Sequence, residues 1–395
     1  MKHQLNRRQL LASAGALMGA HVVGPAYAVG AGASPRAVGI SDFIFGVGAD
    51  DGNLIAMNGW TGRVEHRIAS PIEIVTFFAN RPADRLVGVD GNSGQIAIFQ
   101  NPGIGGAYVE PMVHKTIASP DLFAFSPDGR HAVYAAFGDG QIVLFDLEEG
   151  NAVRSFSGFE GVHDIRFSSL TGMLTITSLD RSDVRALDVR TGDVYPLINI
   201  ADPDQRGIDH MSQTLSGRTG IVIRPGDPFA HLVAIKKDGA SLLRSIELSG
   251  PPLRAYVSSD NRHVLLPSTQ APVVDIIDLN SLQPVAVIEA PGLITNVHTD
   301  PLSRTMIGIA PDADAVIAFD MSTLTAQTKL KETGNVSLLA LNEESGLAFV
   351  HSGGRSQKIE LLQVRGRQAL ERLEPVEIDQ PLWAMTSTNA LAVCH

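Results

Sequence analysis

Residues 122–158 read LFAFSPDGRHAVYAAFGDGQIVLFDLEEGNAVRSFSG. Apolar residues alternate or run together over four short segments, at 122–126, 132–136, 142–145 and 152–156. Each segment ends at a turn that contains Gly or Asp, and this is the pattern of short β-strands joined by tight turns. Four such strands in succession form one antiparallel meander. The stretch therefore predicts a single four-stranded sheet.

The same unit recurs along the chain. Segments similar to its third and fourth strands begin at Leu54, Val184, Val274 and Val316. An aspartate follows the third strand at Asp146, Asp188, Asp278 and Asp320. An aspartate at this place can accept hydrogen bonds from the backbone amides of the turn. The first strand of each unit is predicted to begin near Ile74, Leu122, His163, His210, Arg254, Asn296, Ser337 and Leu382, at intervals of 41 to 48 residues.

A repeat of four-stranded sheets at this interval predicts an all-β fold, the β-propeller. Eight first strands imply eight blades, or seven if one interval is misread. The strands at 43–47 and 54–57 have no inner strand before them, whereas the strand at 382–386 has little chain after it. We therefore expect the C-terminal strand to complete the first blade and close the ring, which leaves no open sheet edge between the ends. Residues 29–395 are expected to be this single domain.

Residues 122–158 resemble the YVTN-type propeller repeat, through the turn Ser126-Pro-Asp-Gly-Arg130 and the step from Asp146 to Gly150 after the third strand. Repeats of this type are similar in form to the propeller that holds d-type haem in nitrite reductases. The resemblance covers about residues 36–395 and implies the fold, while propellers serve many functions. The chain has no C-x-x-C-H, which excludes a covalently attached c-type haem. Its two tryptophans, Trp60 and Trp383, do not form the Trp-rich repeat of quinone-dependent dehydrogenases.

The N-terminus resembles a twin-arginine signal peptide. Arg7 and Arg8 precede a short apolar stretch at 10–23, and Ala26-Tyr27-Ala28 supplies the small residues of a cleavage site. The alternative is an ordinary Sec signal with a chance arginine pair. In either case residues 1–28 are removed and the mature protein is exported, with the periplasm as its expected location.

Composition excludes several classes of function. The net charge of −11 becomes −14 when residues 1–28 and their three basic side chains are removed. Such an acidic chain is unlike a nucleic-acid binder, and no apolar run reaches membrane-spanning length. Cys394 is the single cysteine, so an intrachain disulfide is impossible. The sequence leaves the oligomeric state open.

Three histidines are candidates for a metal site at the central channel. His163 and His210 stand at predicted starts of inner strands, and His298 lies on another inner strand. Imidazole and carboxylate groups are common ligands of zinc and copper, and Asp164 and Asp209 adjoin the first two histidines as ligands or as groups that orient them. The alternative is that these histidines are structural and hydrogen-bond to the ends of neighbouring strands.

Cys394 and His395 form a second candidate for zinc or copper. They bring a thiol, an imidazole and the terminal carboxylate within two residues. A deprotonated thiol and an imidazole together suit zinc or Cu(I). The alternative is that Cys394 is a small buried apolar residue of the closing blade.

Three functions of different classes follow from these features. The first is a periplasmic binding protein that handles a cofactor or a metal, as a carrier or as an assembly partner of a redox or metal system. The second is an interaction scaffold without a cofactor. The third is an enzyme, either a lactonase-like hydrolase that uses a channel metal or an oxidoreductase subunit with a non-covalent haem or quinone.

Overall fold

A computed structural model describes residues 43–79, 85–90, 93–100, 110–116, 120–136, 140–200, 207–331, 336–365 and 370–387. Its strands form eight antiparallel sheets, each built from consecutive segments of the chain except the first. This arrangement is an eight-bladed β-propeller, as the repeat predicts, and the seven-blade alternative is wrong. Pro311–Ala313 forms a 3-10 turn.

The strands are numbered in chain order and grouped here by blade, with blade 1 first. Blade 1 contains β1 Phe43–Gly48, β2 Leu54–Asn58, β3 Val64–Ile68 and the last strand, β33 Leu382–Ser387; blade 2 contains β4 Thr76–Ala79, β5 Arg85–Asp90, β6 Gln95–Gln100 and β7 Met112–Lys115; blade 3 contains β8 Leu122–Phe125, β9 His131–Ala135, β10 Gln141–Asp146 and β11 Asn151–Ser157; blade 4 contains β12 Val162–Phe167, β13 Leu174–Ser178, β14 Asp183–Leu187 and β15 Val194–Asn199. Blade 5 contains β16 His210–Gln213, β17 Thr219–Ile223, β18 Phe229–Lys236 and β19 Gly239–Glu247; blade 6 contains β20 Tyr256–Val257, β21 His263–Pro267, β22 Val273–Asp278 and β23 Gln283–Glu289; blade 7 contains β24 Asn296–Thr299, β25 Thr305–Ala310, β26 Ala315–Asp320 and β27 Thr325–Lys331; blade 8 contains β28 Val336–Asn342, β29 Leu347–Ser352, β30 Lys358–Gln363, β31 Glu371–Arg372 and β32 Val376–Glu377.

The ring closes through blade 1. Strand β33 pairs antiparallel with β1, from Ile44 opposite Ser387 to Gly48 opposite Leu382. The predicted closure by the C-terminal strand is therefore confirmed. The eight inner strands begin within two residues of the predicted positions.

Each blade packs against its neighbours through apolar side chains on both faces of its sheet. Val89 and Phe145 lie in one cluster that joins blades 2 and 3, and Met57 and Phe349 lie in another that joins blades 1 and 8. Burial on both faces explains why middle strands such as β1, FIFGVG, are apolar throughout. Packing between blades thus fixes where the inner strands lie.

The repeated aspartates hold the turns after the third strands, as predicted. The Oδ1 atom of Asp278 accepts hydrogen bonds from the backbone amides of Asn280 at 2.9 Å and Ser281 at 2.8 Å. Its Oδ2 atom pairs with Nε of Arg262 at 2.9 Å. Asp146, Asp188 and Asp320 accept amide hydrogen bonds in the same way. In blade 1, Asn58 takes this place and accepts from the amides of the turn at 2.9 and 3.0 Å.

Candidate functional site

The inner strands bring several polar residues to one end of the ring. Each of blades 2 to 8 begins with its inner strand, and β33 takes that position in blade 1, so the inner strands share one direction and start at the same end. We call this end the mouth, and define it by five residues at or beside inner-strand starts, which are His163, His210, Arg254, Asn296 and Trp383.

Two histidine–aspartate pairs cross the interface between blades 4 and 5. Nδ1 of His163 in blade 4 lies 2.7 Å from Oδ1 of Asp209, which directly precedes the inner strand of blade 5. Nδ1 of His210 in blade 5 lies 2.7 Å from Oδ2 of Asp164 in blade 4. Two consecutive residues of blade 4 thus pair with two consecutive residues of blade 5, in crossed order.

A bulge in β12 helps both residues of blade 4 to reach blade 5. Successive side chains of a regular strand point to opposite faces. Here Val162 pairs with Ser178 and Asp164 with Thr177, so His163 is an additional residue without an opposite partner on β13. A bulge of this kind redirects a side chain and is common beside functional sites.

Blade 5 enters the interface through a close approach of the two backbones. A Cβ atom at Gly207 would collide with the carbonyl group of Leu179 in blade 4. The amide of Ile208 donates to the carbonyl oxygen of Ser178 at 2.8 Å, and the hydroxyl of Thr177 donates to the carbonyl oxygen of Asp209 at 2.9 Å. These contacts place Asp209 and His210 against blade 4.

The buried pair continues into a hydrogen-bonded chain. Nε2 of His210 lies 2.9 Å from Oγ of Ser212, and that hydroxyl donates to the carbonyl oxygen of Ala255 in blade 6 at 2.5 Å. Since the hydroxyl has a single proton, it accepts from Nε2. Nδ1 faces the carboxylate of Asp164, so both ring nitrogens donate. This is the hydrogen-bonding pattern of an imidazolium.

Asp164 is the negative centre of this group. Burial alone would raise the pKa of Asp164, but the charges of Arg166 and His210 and the hydrogen bond from His210 outweigh it and hold that pKa well below its ordinary value. Nε of Arg166 lies 3.0 Å from Oδ2 of Asp164. A carboxylate with two cationic neighbours is the arrangement that allows charges to be buried.

The order Asp164, His210, Ser212 matches the connectivity of a serine-hydrolase triad. The side chain of His210 is only 3% exposed and Ser212 is completely buried. In addition, the Ser212 hydroxyl donates to a carbonyl group instead of to the imidazole, so it has no base to accept its proton. The three residues therefore form a structural network, which joins blades 4, 5 and 6.

His163 differs from His210 in exposure. Its side chain is 34% exposed, and that of Asp209 is 26% exposed. The hydrogen bond with the Asp209 carboxylate raises the pKa of His163 above its ordinary value, although partial burial opposes this shift. Of the two histidines, His163 is the one that a molecule at the mouth can reach.

The remaining predicted ligands lie elsewhere. His298 is on the inner strand of blade 7, where the side-chain amide nitrogen of Asn296 lies 3.4 Å from its Nε2. Cys394 and His395 fall outside the described residues, as does the predicted signal peptide at 1–28. Within the described ranges no three His, Cys, Asp or Glu side chains lie together in a geometry that could hold a metal ion. The metal site at the histidines remains a prediction.

Sequence reasoning missed three residues of this region as site residues, namely Arg166, Ser212 and Arg254. Two of them follow a predicted site residue by two positions, Arg166 after Asp164 and Ser212 after His210. That spacing places side chains on the same face of a strand, and it is the signal that could have found them. Trp383, also at the mouth, is 63% exposed, and its indole nitrogen donates to the carbonyl oxygen of Val75 at 3.0 Å.

No protein-family model matches the chain, and neither does any curated protein sequence. Solved structures with the same fold include dihydro-haem d1 dehydrogenase NirN in complex with DHE, which has a TM-score of 0.74, 15% identity and a match covering 98% of this chain and 86% of that one. Another is Citrobacter koseri AztD, with a TM-score of 0.67, 10% identity and coverage of 89% and 99%. A third is a functionally unknown protein from Desulfotomaculum acetoxidans DSM 771, with a TM-score of 0.58, 13% identity and coverage of 73% and 95%. At these identities the likeness shows the β-propeller fold alone.

Among the described residues, no helix is both long and apolar enough to cross a membrane.

Proposed function

We propose that this protein is an exported β-propeller that holds a metal-bearing cofactor of the haem class at the mouth, with His163 as its protein ligand. The observation that carries the proposal is the pair of His163 and Asp209, in which a carboxylate engages Nδ1 of a partly exposed imidazole at 2.7 Å. Metal-ligating histidines commonly donate their second ring N–H to a carboxylate, which fixes the tautomer and the ring orientation. In this proposal Nε2 would be the ligand atom, because Asp209 engages Nδ1.

The geometry favours a metal that brings its own ligands over a bare ion. Zinc and copper sites usually take three or four protein ligands. Both ring nitrogens of His210 and the carboxylate of Asp164 are already engaged within the protein. A metal in a macrocycle already has ligands from the ring, so a single protein side chain could complete its attachment, and His163 would supply it. Such a cofactor, when bound, would supply redox or small-ligand chemistry, while His163 would hold the metal and the mouth would surround the ring.

Three further observations support this class of ligand. NirN, which has the same fold, is described in complex with DHE. Residues 122–158 resemble the YVTN-type repeat, which is similar in form to the propeller that holds d-type haem, and this supports the same class of ligand. The twin-arginine pattern at Arg7 and Arg8 is consistent with export of a protein that folds and loads its cofactor before translocation. A periplasmic protein that receives or delivers the cofactor is the expected partner.

The test is purification of the protein from its native compartment without a chelator or tag, followed by an absorbance spectrum and metal analysis. We expect a Soret band and about one equivalent of iron, with both lost in His163→Ala. His66→Ala is the matched control, because His66 is exposed on the outer strand β3. The purified apoprotein is also titrated with haem b, and His163→Ala should abolish the spectral change.

Two results contradict the proposal. A colourless protein with about one equivalent of zinc or copper, lost on changing His163 and His210 to alanine, replaces the cofactor with a single-ion site. A colourless, metal-free protein that takes up no haem leaves the interaction scaffold, whose partner is then sought by crosslinking in the periplasm.

A further inference from the structure

His351 connects blade 8 to the strand that closes the ring. It lies on β29, and it is completely buried. Its Nε2 atom lies 3.0 Å from the carbonyl oxygen of Ser356 in the turn that follows β29. The backbone amide of Leu382, the first residue of β33, donates to the same atom at 3.3 Å. One imidazole nitrogen therefore faces both its own blade and the closing strand of blade 1.

A single nitrogen cannot form both hydrogen bonds at once. Nε2 donates to Ser356 when it carries the proton, and it accepts from Leu382 when the proton is on Nδ1. A protonated imidazole carries hydrogens on both nitrogens, so it loses the bond from Leu382. Within the described part of the chain, Nδ1 is buried and has no hydrogen-bond partner. The cation would therefore bury an unpaired N–H as well as a charge.

The surroundings of His351 are apolar. It lies opposite Leu338 on β28 and Ile359 on β30. Both of these residues and Leu382 belong to the apolar cluster that joins blades 1 and 8. Neither β28 nor β33 contains an ionisable residue. Burial accordingly lowers the pKa of His351 below its ordinary value, although the hydrogen bond with the Ser356 carbonyl opposes this shift.

The charged residues of the adjoining segments do not compensate a charge on His351. Glu360 follows Ile359 on β30 and therefore lies on the other face of that strand, where its Oε2 atom is 3.5 Å from Nε of Arg372. The others are exposed to solvent, namely Asp50, Asp51, Arg355, Lys358, Glu377 and Asp379. Protonation of His351 is thus opposed by its surroundings while the ring is closed.

We infer that His351 is an acid-sensitive contact of the ring closure, whose protonation releases β33 from blade 8. Because Trp383 of the mouth follows Leu382 directly, acid would alter the mouth as well. The open form binds the proton more readily than the closed form, so closure weakens as pH falls below about 6.5, the ordinary pKa of histidine. The inference goes beyond the proposed function, because it applies whatever molecule the mouth holds.

The experiment is amide hydrogen exchange of the full chain, followed by mass spectrometry from about pH 7.5 to about pH 5. Rates are corrected for the intrinsic effect of pH, and β26 of blade 7 is the internal reference. We expect protection of residues 378–387 to fall by up to about tenfold for each pH unit below about 6.5, as for one proton taken up on opening. Strand β26 should keep its protection.

Two variants and one optical signal complete the test. His351→Gln keeps a donor and an acceptor but does not titrate in this range, so it should remove the pH dependence. His66→Gln is the matched control, because it makes the same change at an exposed histidine of β3, and it should match the wild type. In a Trp60→Phe background, the emission of Trp383, then the single tryptophan, should change over the same pH range.

Equal pH dependence in the wild type and His351→Gln, or a loss of protection shared by β26, overturns the inference. Constant emission of Trp383 during a local loss of protection overturns the effect on the mouth. If His351→Gln does not fold, the wild type alone decides. A loss confined to residues 378–387 then supports the inference, and unchanged protection of this segment overturns it.

Discussion

The two crossed pairs at the interface of blades 4 and 5 differ mainly in burial, and this permits a quantitative prediction. Both pairs join Nδ1 to a carboxylate oxygen at 2.7 Å. The His210–Asp164 side chains are 3% and 15% exposed, whereas those of His163 and Asp209 are 34% and 26% exposed. The perturbation is a double-mutant cycle on each pair, with Asp→Asn and His→Ala as the single changes.

The expected coupling energies follow from the surroundings of the charges. Two unit charges about 4 Å apart interact by ~4 kcal/mol at an effective dielectric constant of about 20 and by ~1 kcal/mol in bulk water. We therefore expect about 2–4 kcal/mol of coupling for His210–Asp164. For His163–Asp209 we expect less than about 1 kcal/mol, as for other solvent-exposed pairs.

The assay is urea unfolding of seven proteins, the wild type and the three variants of each cycle, followed by circular dichroism at pH 6. His163 is protonated at this pH because Asp209 raises its pKa above the ordinary value. Equal coupling in the two pairs, or stronger coupling in the exposed pair, would refute the argument from burial. Coupling near zero for His210–Asp164 would refute the assignment of His210 as an imidazolium.

Three further predictions concern the turns, the network and the closure. The amide of Ser281 and the guanidinium of Arg262 hold the pKa of Asp278 at about 2. The ionised side chain therefore stabilises the fold at pH values above its unfolded pKa of about 3.9. This contribution is lost as pH falls from about 4 towards 2. Asp278→Asn should make the unfolding free energy fall less steeply between these pH values, and the variant should keep the turn because Asn58 forms the same turn in blade 1. An unchanged pH dependence of the unfolding free energy contradicts this prediction. Ser212→Ala should lower the unfolding free energy in urea by about 1–3 kcal/mol, because it leaves buried groups without hydrogen-bond partners. Any esterase activity of the protein should not change. A loss of hydrolysis without a loss of stability would support the triad interpretation instead. Leu382→Ala, at a buried position of the closing strand that packs over Gly46, should cost about 2–5 kcal/mol, and a change below about 0.5 kcal/mol would show that β33 contributes little to ring closure.

The fold was predictable because its determinants are local and repeated. Alternating apolar strands, turns containing Asp or Gly and the 41 to 48 residue interval recur in the sequence without reference to distant contacts. The position of Asp146 after a third strand predicted its hydrogen bonds to the turn. Closure by residues 382–386 followed from counting strands. The first blade lacks an inner strand and the last strand has no blade of its own, so the last strand was expected to complete the first blade.

The site was predictable in part. Inner-strand starts placed His163 and His210 at the same end of the ring, and that placement is correct. The sequence could not reveal that each histidine pairs with a carboxylate of the neighbouring blade, because the partners are 46 residues apart and belong to different sheets. It also could not distinguish the exposed His163 from the buried His210, since each lies next to an aspartate.

The amino-acid sequence by itself therefore determined the propeller and the strand that closes it and favoured eight blades over seven, because strand periodicity and turn chemistry are properties of short segments. Tertiary structure decided which polar residues meet. The bulge at His163 and the close approach at Gly207 set distances across the interface of two blades, and hydrogen bonds are formed or lost within a few tenths of an ångström. Those distances make His210 part of a buried network and leave His163 as the partly exposed histidine of the two.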